Sequence, residues 1–458
     1  MNDLNFKDKK VLIMGLGING GGLGSTKFFA KEGANVRVTD MMNADFLKSS
    51  IDELQEFNKI EYFLSGYRFE DFEWADIIIK NPSVKPDDEY IAFAKEKNKQ
   101  IETDVSIFLQ FVDRKNVLGI TGTKGKSTTS TLTAHILKKV LGEEKVLLAG
   151  NIGKSMLDVI PYVTEDSIVI LELSSFQLMI FQQNKLSVHR AAVTNIYPDH
   201  LNYHGTMEEY IKAKKSIAAF QNSDDLLFIR KSDEVTTSGP FLEGLKAKIE
   251  YSNVEEIIKF IEQTDPRVRK DDNVQNELPE ILRSEHNLEN FAQASKIAES
   301  FGLTHEQIIE AVQDFKGVEF RQQLIKTWNG VKIINDTTAT TPNAAIAALK
   351  TYPDCILIAG GMDKGLPYED LAQAFDLYPK AIYFIEGSAT DKLKELMKEQ
   401  GKIKGTWNNF DEILEQVKKD AKEGDTIIFS PGGTSFNFFK NEFDRGRKFN
   451  EAVEKVFS

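Results

Sequence analysis

The chain has 458 residues, of which 41% are apolar and 28% charged, and its formal net charge is −13. Such a length exceeds one compact core and predicts about three domains. No run approaches the roughly 18 apolar residues of a membrane-spanning helix, and the negative charge argues against a nucleic-acid partner.

The amino-terminal segment and the cysteine content indicate a compartment. The first residues, MNDLNFKDKKVLIMG, carry acidic side chains and run directly into a strand pattern, unlike a signal or transit peptide. A single cysteine, Cys355, excludes an internal disulfide and a cysteine-rich metal site. It stands in the apolar run CILIAGG, which predicts a buried thiol in a strand. We therefore expect a cytoplasmic protein.

Short apolar runs alternate with amphipathic stretches along the chain, which is typical of parallel sheets with helical crossovers. In chain order the predicted strands are KVLIMG, NVRVTD, DIIIKNPS, NVLGITG, KVLLAGN, SIVILELSS, RAAVTNIYPDH, VKIINDT, CILIAGG, AIYFIEG and DTIIFSPGG. The pattern predicts an α/β protein with domains 1–112, 113–317 and 318–458, each built on a mainly parallel sheet with flanking helices. The first and third are expected to be Rossmann-like and the central one to resemble a phosphate-loop ATPase.

The segment GITGTKGKSTTS, residues 119–130, is the first candidate site. A predicted strand precedes it and an amphipathic helix follows, the context that a phosphate-binding loop requires. Backbone N–H groups of residues 122–126 and the positive end of the helix would face phosphate oxygens, and Lys126 would add a mobile cation. Ser127 or Thr128 would reach Mg²⁺. The alternative is a glycine-rich turn before a helix, because Ile120 stands where the strict pattern has glycine.

A second glycine-rich segment, GLGINGGG, lies at residues 15–22 between a predicted strand and helix. It only partly resembles a dinucleotide fingerprint. Asp40 ends the next predicted strand, where an acidic residue binds a ribose or a base edge in nucleotide-binding domains. A plain strand-ending cap is an equally good interpretation of Asp40. Two nucleotide-like sites in consecutive domains suggest a nucleoside-diphosphate substrate in the first and ATP in the second.

Other predicted strands of the central domain end in polar residues that would line the same sheet edge. These are Asn151 in AGNIG, Glu172 in LELSSFQ, and Asp199 with His200 in TNIYPDH. A buried carboxylate at position 172 would be costly unless a cation neutralises it, which favours a metal ligand. His200 by itself is equally consistent with a structural role.

The ordered motifs resemble the Mur ligase family of peptidoglycan synthesis over nearly the whole chain. They are GITGTKGKST, GNIG, LELSSFQL, TNIYPDH, YIKAKKSI, EHNLENFAQA, FRQQ, NDTTATTPNAAIAAL, GGMDKG and SPGGTSFNFFKNEFDRG. Members phosphorylate a substrate carboxylate with ATP, and an amino acid's amine then attacks the acyl phosphate. The resemblance is closest to members that add D-glutamate to UDP-N-acetylmuramoyl-L-alanine, and it implies a monomer that acts on these small molecules.

The resemblance also implies a cofactor site. ATP and two Mg²⁺ ions are expected, with Ser127 or Thr128 and Glu172 on one metal and His200 on the other. A carbamoylated lysine at Lys214 would help to hold the second metal, so the expected catalytic residues are Lys126, Glu172, His200 and Lys214. Nucleotide binding is assigned to Gly122, Thr123, Lys124, Gly125, Lys126, Ser127, Thr128, Asn287, Arg321 and Asp336. Asn287 would bind adenine or cap a helix, and an Arg321 contact to the transferred phosphoryl group would need domain closure.

Substrate binding follows from the same resemblance. The acceptor glutamate is assigned to Lys364, Ser435, Phe436 and Phe443, and the remaining substrate contacts to Gly17, Ile18, Asn19, Asp40, Asn151, Ser174, Gln177 and Thr340. This chain departs from the family at Thr338 and Lys124, where lysine and asparagine are common. A cationic contact to the acceptor is therefore missing at position 338 or supplied elsewhere.

Two alternatives remain open. One is a sister ligase with another acceptor or donor, such as L-glutamate or a folate carrier. A folate-type ligase lacks a nucleotide-like domain before its phosphate loop, whereas this chain has about 110 residues there. The other is a nucleotide-sensing module without chemistry, which would need no metal ligands.

Overall fold

The computed structural model describes residues 5–17, 20–152, 155–264, 278–363, 365–435, 438–439 and 441–458. The chain divides into two compact units, Met1–Phe315 and Lys316–Ser458. The first unit contains two sheets and the second contains one. The predicted α/β class with three mainly parallel sheets is confirmed, while the domain boundaries after residues 112 and 317 stay a prediction.

The first sheet has the strands β1 (Lys10–Met14), β2 (Asn35–Asp40), β3 (Ile60–Leu64), β4 (Ile77–Lys80) and β5 (Gln100–Glu102). Its helices are α1 (Gly21–Lys31), α2 (Lys48–Asp52), α3 (Phe69–Trp74), α4 (Glu89–Glu96) and α5 (Asp104–Phe111). All pairings are parallel, in the order β3-β2-β1-β4-β5. Along β1, Val11 and Ile13 join one apolar cluster and Leu12 and Met14 another, because both faces of the sheet are covered.

The second sheet has the strands β6 (Val117–Thr121), β7 (Val146–Gly150), β8 (Ile168–Glu172), β9 (Arg190–Val193), β10 (Leu226–Arg230) and β11 (Lys248–Ser252). Its helices are α6 (Lys126–Leu141), α7 (Ser175–Asn184), α8 (Leu201–His204), α9 (Met207–Ala219), α10 (Gly239–Leu242), α11 (Val254–Thr264), α12 (Glu285–Glu299) and α13 (His305–Val312). The parallel order β11-β10-β9-β6-β8-β7 places β6 between β9 and β8. The segment after β6 therefore lies between the carboxyl ends of two other strands, where ligands of such sheets bind.

The two sheets of the first unit share one core. An apolar cluster runs continuously from Val11 of β1 and Phe29 of α1 to Leu171 of β8 and Ile217 of α9. Helix α1 also approaches the segment after β7 so closely that a Cβ on Gly24 would overlap the Ser155 side chain. This shared burial explains why the first unit contains two sheets.

The third sheet has the strands β12 (Gln323–Trp328), β13 (Val331–Asn335), β14 (Ile356–Gly360), β15 (Ala381–Ile385), β16 (Ile403–Trp407) and β17 (Thr426–Gly432). Its helices are α14 (Pro342–Thr351), α15 (Glu369–Leu377), α16 (Ser388–Leu396), α17 (Phe410–Asp420) and α18 (Glu442–Val456). The order is β12-β13-β17-β14-β15-β16, with β12 antiparallel to β13 and the other pairs parallel. Apolar clusters cover both faces of this sheet.

Two predictions from composition can be compared with the fold. Cys355 is a buried free thiol immediately before β14, so the predicted burial is confirmed, and burial raises its pKa to about 12. Within the described part of the chain, no helix is both long and apolar enough to cross a bilayer.

Candidate active site

The phosphate loop leaves β6 and ends where α6 begins. Gly122 and Gly125 have φ values of +145° and +81°, which side chains disfavour. A Cβ on Gly122 would overlap Thr194 Oγ1, and one on Gly125 would overlap Asn290 Oδ1. Both positions therefore require glycine for conformation and for space.

The segment after β9 fastens the loop. The Thr123 N–H donates to Asn195 O at 2.8 Å, and the Lys124 N–H donates to Asn195 Oδ1 at 2.9 Å. In return, Asn195 Nδ2 and Thr194 Oγ1 donate to Lys124 O at 3.1 and 2.6 Å. The expectation that all N–H groups of residues 122–126 face phosphate is therefore wrong for residues 123 and 124. Their hydrogen bonds hold the loop in shape instead, and the Lys124 side chain is exposed.

Two lysines meet at the loop. Lys126 Nζ donates to Gly122 O and Thr123 O, at 3.0 Å each, and Lys214 Nζ on α9 donates to the same Gly122 O at 2.7 Å. Lys214 is 2% exposed. Burial, reinforced by the charge of Lys126, lowers the pKa of Lys214 to about 7. Ser127 and Thr128 follow Lys126 in the first turn of α6.

The neighbouring lysines of α9 differ from Lys214. Lys212 is exposed and contacts Glu209 at 3.4 Å. Lys215 Nζ donates to the carbonyls of Pro240 and Glu243, at 3.1 and 2.8 Å. Of the three lysines, Lys214 alone reaches the phosphate loop through a described hydrogen bond.

Glu172 ends β8 next to this loop. It pairs with Ile120 of β6, and the carboxylate is 1% exposed. Its Oε1 accepts a hydrogen bond from Asn151 Nδ2 at 3.3 Å, while the Asn151 N–H donates to Glu172 O at 2.9 Å. The strand order thus brings these two predicted residues together beside the loop.

His200 lies at the start of α8 with a φ of +52°. Its side chain is about half exposed, with Nε2 3.5 Å from Asp199 Oδ2. Its ring centroid is 5.0 Å from that of Phe176. The imidazole is therefore accessible to a ligand, with Asp199 and Phe176 as neighbours.

Two tyrosines near His200 escaped prediction. The Tyr203 hydroxyl donates to Pro82 O and Val84 O, at 3.2 and 3.1 Å, and so links α8 to the loop after β4. The Tyr210 hydroxyl lies 3.0 Å from Thr123 Oγ1 of the phosphate loop. Neither residue stands at a strand end, so the pattern of polar residues at strand ends does not point to them.

The described residues do not form a cluster of acidic side chains that is ready to bind a metal. In the described ranges, no three His, Cys, Asp or Glu side chains converge on one point. The expected ligands include two hydroxyls and a modified lysine, which such a cluster would not contain. The ligand assignment of Ser127, Thr128, Glu172, His200 and Lys214 stays a prediction.

Asn287 lies in the first turn of α12 and is tied to the phosphate loop through Asn290. Asn290 Nδ2 donates to Asn287 Oδ1 at 3.0 Å, and Asn290 Oδ1 accepts from Thr129 Oγ1 of α6 at 3.2 Å. Asn287 Nδ2 donates to Ile281 O at 2.7 Å. Its side chain does not cap α12 in these contacts, so the capping alternative has no support.

Asp40 orders the glycine loop of the first sheet. Its Oδ2 accepts from the Gly17 N–H at 3.0 Å, and its Oδ1 accepts from the Met42 N–H at 2.9 Å. Ser50 Oγ donates to Gly17 O at 2.7 Å. The capping interpretation thus accounts for Asp40, and a ligand contact stays a prediction. Ile18 and Asn19 lie outside the described residues.

Ser174 and Gln177 form the capping box of α7. The Gln177 N–H donates to Ser174 Oγ at 3.2 Å, and the Ser174 N–H donates to Gln177 Oε1 at 3.1 Å. Gln177 also hydrogen-bonds the buried Asp104 at the start of α5, and burial raises the pKa of that carboxyl. These contacts give both residues a structural role, and their substrate role stays a prediction.

In the second unit, Asp336 follows β13 and is 3% exposed. Its Oδ2 accepts from Ser430 Oγ at 2.8 Å and its Oδ1 from the Gln322 N–H at 3.1 Å. Burial raises the pKa of Asp336 to about 7, against the opposing effect of these hydrogen bonds and of Arg321.

Thr338 and Thr340 follow β13, Ser435 follows β17, and Phe443 lies in α18. Thr338 directs both its N–H and its hydroxyl to Phe320 O, at 3.2 and 2.9 Å, and the Thr340 N–H donates to Thr338 O at 2.9 Å. Ser435 is 1% exposed, and its Oγ has no hydrogen-bond partner among the described residues. The Phe443 ring lies 6.2 Å from that of Phe320. Lys364 and Phe436 lie outside the described residues.

Because the pKa of Asp336 is raised, we expect the stability of this unit to depend on pH. An acid whose folded pKa exceeds its unfolded value stabilises the fold below the unfolded pKa, and that contribution is lost as the pH rises through the folded pKa. Its contribution should fall between pH 3.8 and about pH 7. Asp336→Asn should flatten the pH profile by up to about 1.4 kcal/mol per pH unit.

Urea unfolding at several pH values measures this effect. A Trp74→Phe background leaves Trp328 and Trp407, both in the second unit, as the fluorescent reporters. Asp370→Asn, at an exposed carboxyl of α15, is the control. A difference between Asp336→Asn and its parent that stays constant from pH 4 to 7 would contradict the raised pKa.

The site defines a class of protein. A phosphate loop, two converging lysines and a buried carboxylate lie at the carboxyl edge of a parallel sheet, as in phosphate-loop nucleotide-binding enzymes. Family models match in chain order: Mur ligase MurD-like, N-terminal domain, at residues 9–103; Mur ligase middle domain at 120–298; and Mur ligase, glutamate ligase domain, at 320–433. The chain belongs to the Mur ligase family, as the motif resemblance predicted.

Curated relatives match over their full length. The UDP-N-acetylmuramoylalanine--D-glutamate ligase of Roseiflexus sp. (strain RS-1) is 37% identical over 97% of this chain and 98% of its own. The enzyme of the same name from Borreliella afzelii (strain PKo) is 32% identical, with 98% of each chain covered. Identity at this level and coverage extends the family relationship through all three sheets.

Solved structures support the fold. The UDP-N-acetylmuramate-alanine ligase MurC from Thermotoga maritima has a TM-score of 0.56 at 19% identity, covering 97% of this chain and 99% of its own. The MurF ligase from Thermotoga maritima in complex with ADP has a TM-score of 0.52 at 16% identity, covering 100% of this chain and 99% of its own. Both share the fold described above over nearly the whole chain.

Proposed function

We propose that this protein is an ATP-dependent ligase that joins D-glutamate to UDP-N-acetylmuramoyl-L-alanine in peptidoglycan precursor synthesis. The observation that carries the proposal is the meeting of Lys126 and Lys214 at Gly122 O, beside the buried carboxylate of Glu172. The name and full-length similarity of the relatives supply the substrates.

The chemistry explains why phosphate binding serves a ligase. A carboxylate is a poor acceptor for an amine, because its charge repels the nucleophile and its oxygen is a poor leaving group. A carboxylate oxygen of the alanyl group attacks the γ-phosphorus of ATP, and the bond to ADP breaks. The amine of glutamate then attacks the acyl carbon, loses a proton and expels inorganic phosphate, so that each turnover forms one amide.

Lys126 stabilises the phosphoryl charge in this scheme. Its ammonium group is held at the loop by the carbonyls of Gly122 and Thr123 and sits at the positive end of α6. Negative charge spreads over the phosphoryl oxygens during transfer, and a positioned cation opposes it without a covalent step.

Magnesium fits the oxygen-rich character of this edge. A hard divalent cation prefers carboxylate and hydroxyl oxygens, which Glu172, Ser127 and Thr128 supply at or next to the phosphate loop. When bound, Mg²⁺ would neutralise part of the triphosphate charge. We assign these three residues to one ion and His200 with a modified Lys214 to a second.

Lys214 has the properties that carbamoylation requires. Its pKa of about 7 leaves a substantial neutral fraction at physiological pH. The neutral amine nitrogen can bond to the carbon of CO₂ and lose one proton, which turns a cation into a carboxylate-like ligand. Such a group would lie within the phosphate loop region, where Nζ already contacts Gly122 O.

The two substrates that are joined are assigned to different sheets. For the nucleotide portion of the substrate, a cavity of about 610 Å³ at the first sheet is lined by residues that include Met41, Tyr67 and Lys85. For glutamate, the buried Ser435 hydroxyl offers a hydrogen-bond donor, and Thr340 lies at a neighbouring strand end. No observation favours the sister ligase or the nucleotide sensor.

One assay tests the proposal. The protein is incubated with ATP, Mg²⁺ and UDP-N-acetylmuramoyl-L-alanine, and phosphate release is compared for D-glutamate, L-glutamate, D-aspartate and no amino acid. We expect release that depends on D-glutamate, with a product heavier by one glutamyl residue. Release that is independent of any amino acid, or equal for both enantiomers of glutamate, would overturn the assignment.

A further inference from the structure

Arg230 ends β10 and lies outside every motif selected from the sequence. It is 4% exposed and directs its guanidinium to α12. Nε donates to Gln293 Oε1 at 3.1 Å, Nη1 to Glu289 Oε2 at 3.1 Å and Nη2 to Asn290 Oδ1 at 2.6 Å. One buried arginine thus organises three polar side chains, at positions 289, 290 and 293, on the helix that carries Asn287.

The charge of Arg230 is locally balanced. Glu289 accepts its Nη1 hydrogen bond and also one from Ser232 Oγ at 2.6 Å, which holds the carboxylate in place. Since this carboxylate compensates the charge of the guanidinium, we do not expect Arg230 to act mainly by attracting phosphate over a distance. We expect it to act mainly by orienting the amide side chains that it contacts.

A guanidinium can only donate hydrogen bonds, so it dictates which atom of an amide faces it. Asn290 must present Oδ1 to Arg230, which leaves Nδ2 to donate to Asn287 Oδ1 at 3.0 Å. Asn287 Nδ2 then donates to Ile281 O at 2.7 Å. This series of hydrogen bonds begins at a guanidinium, which only donates, and ends at a carbonyl, which only accepts. Only one orientation of the Asn287 amide therefore satisfies every hydrogen bond in the series.

This orientation matches one purine. An asparagine amide pairs with adenine by donating to N7 and accepting from the N6 amino group, whereas guanine presents the acceptor O6 in place of N6. After its internal bonds, Asn287 retains one N–H and an oxygen lone pair, and its side chain is partly exposed. With guanine, Asn287 Oδ1 would face a second acceptor.

We propose that Arg230 is a positioning residue for nucleotide specificity, which selects adenine over guanine by fixing the amide of Asn287 through Asn290. The inference rests on the proposed function and on the family resemblance, which assigns Asn287 to the adenine base of ATP. Arg230 also lies against the phosphate loop, since a Cβ on Gly125 would be 3.1 Å from its Nη2. Base recognition and loop position are thereby set by the same side chain.

Direct binding of ATP and of GTP, each with Mg²⁺, tests the inference by calorimetry without requiring turnover. Arg230→Met should weaken ATP binding about tenfold and leave GTP binding nearly unchanged. The ratio of the association constant for ATP to that for GTP should therefore fall about tenfold. Arg230→Lys, which keeps a donor-only group, should restore part of the ratio. The control is Arg190→Met, which removes another part-buried arginine of this sheet, bonded to Ser300.

A second variant covers the case in which Arg230→Met does not fold. Asn290→Asp keeps an acceptor for Arg230 but cannot donate to Asn287, so the same loss of ratio is expected. An unchanged ratio in either folded variant, or a wild-type protein that binds ATP and GTP equally, overturns the inference. Normal base discrimination without D-glutamate-dependent ligation would instead refute the proposed function alone.

Discussion

Replacement of Lys126 by alanine is expected to lower the ligation rate by about a thousandfold, while the fold is kept. Its ammonium group donates to the Gly122 and Thr123 carbonyls, and the lysine belongs to none of the apolar clusters of this unit, so its loss leaves the core intact. The transition state, in contrast, loses a cation at the point where phosphoryl charge develops. The effect should therefore fall on turnover more than on thermal stability.

The measurement compares kcat for D-glutamate-dependent phosphate release with the thermal unfolding midpoint of each variant. Lys139→Ala is the matched control, because it removes a lysine from the same helix, where it pairs with Asp314 at 2.5 Å. Turnover of Lys126→Ala within tenfold of the parent would remove Lys126 from the catalytic residues. A lower midpoint in Lys126→Ala but not in Lys139→Ala would indicate a structural role instead.

Replacement of Lys214 by alanine is expected to abolish activity, and added short carboxylic acids should restore part of it. Formate or acetate can occupy the space of the missing carbamate and supply a carboxylate oxygen. In the unsubstituted protein, partial depletion of CO₂ should reduce activity by a larger fraction at pH 6 than at pH 8. The reason is that the Lys214 pKa lies at about 7, so the amine that bonds CO₂ is mostly protonated at the lower pH.

Carbon-13 bicarbonate gives an independent readout of the modification. A carbamate carbonyl signal should appear in the wild type and in Lys212→Ala and Lys215→Ala, and it should be missing in Lys214→Ala. Lys212 and Lys215 are suitable controls, because they lie on the same helix and bond elsewhere. A signal that survives in Lys214→Ala, or activity that no carboxylate restores while CO₂ has no effect, would contradict carbamoylation.

Interior strands were easier to predict than edge strands. The predicted strands are all present, whereas β3, β5, β10, β11, β12 and β16 escaped prediction. Except for β10, these lie at the edges of their sheets, where one side faces solvent and polar residues interrupt the apolar run. The segment QIE of β5 is an example. Strand β10, LLFIR, is buried, and its apolar run could have been predicted as a strand but was not.

The candidate site was predicted in the parts that depend on local sequence. Lys126, Glu172 and Asn151 follow directly from strand ends and from the glycine pattern, and the strand order brings them to one edge. Lys214 was selected by resemblance, because nothing in YIKAKKSI distinguishes it from Lys212 and Lys215. Its burial distinguishes it, and burial depends on how α9 packs against β6 and β9.

By itself, the sequence determined the α/β class, most of the interior strands, the phosphate loop and the family, because these depend on short patterns along the chain. Only the tertiary structure decided which N–H groups of the loop are used by Asn195, which lysine of α9 is buried, and how Arg230 orients the amides of α12. The physical reason is the same in each case. Hydrogen-bond partners and desolvation come from residues distant in the chain, and their proximity is created by strand order and helix packing.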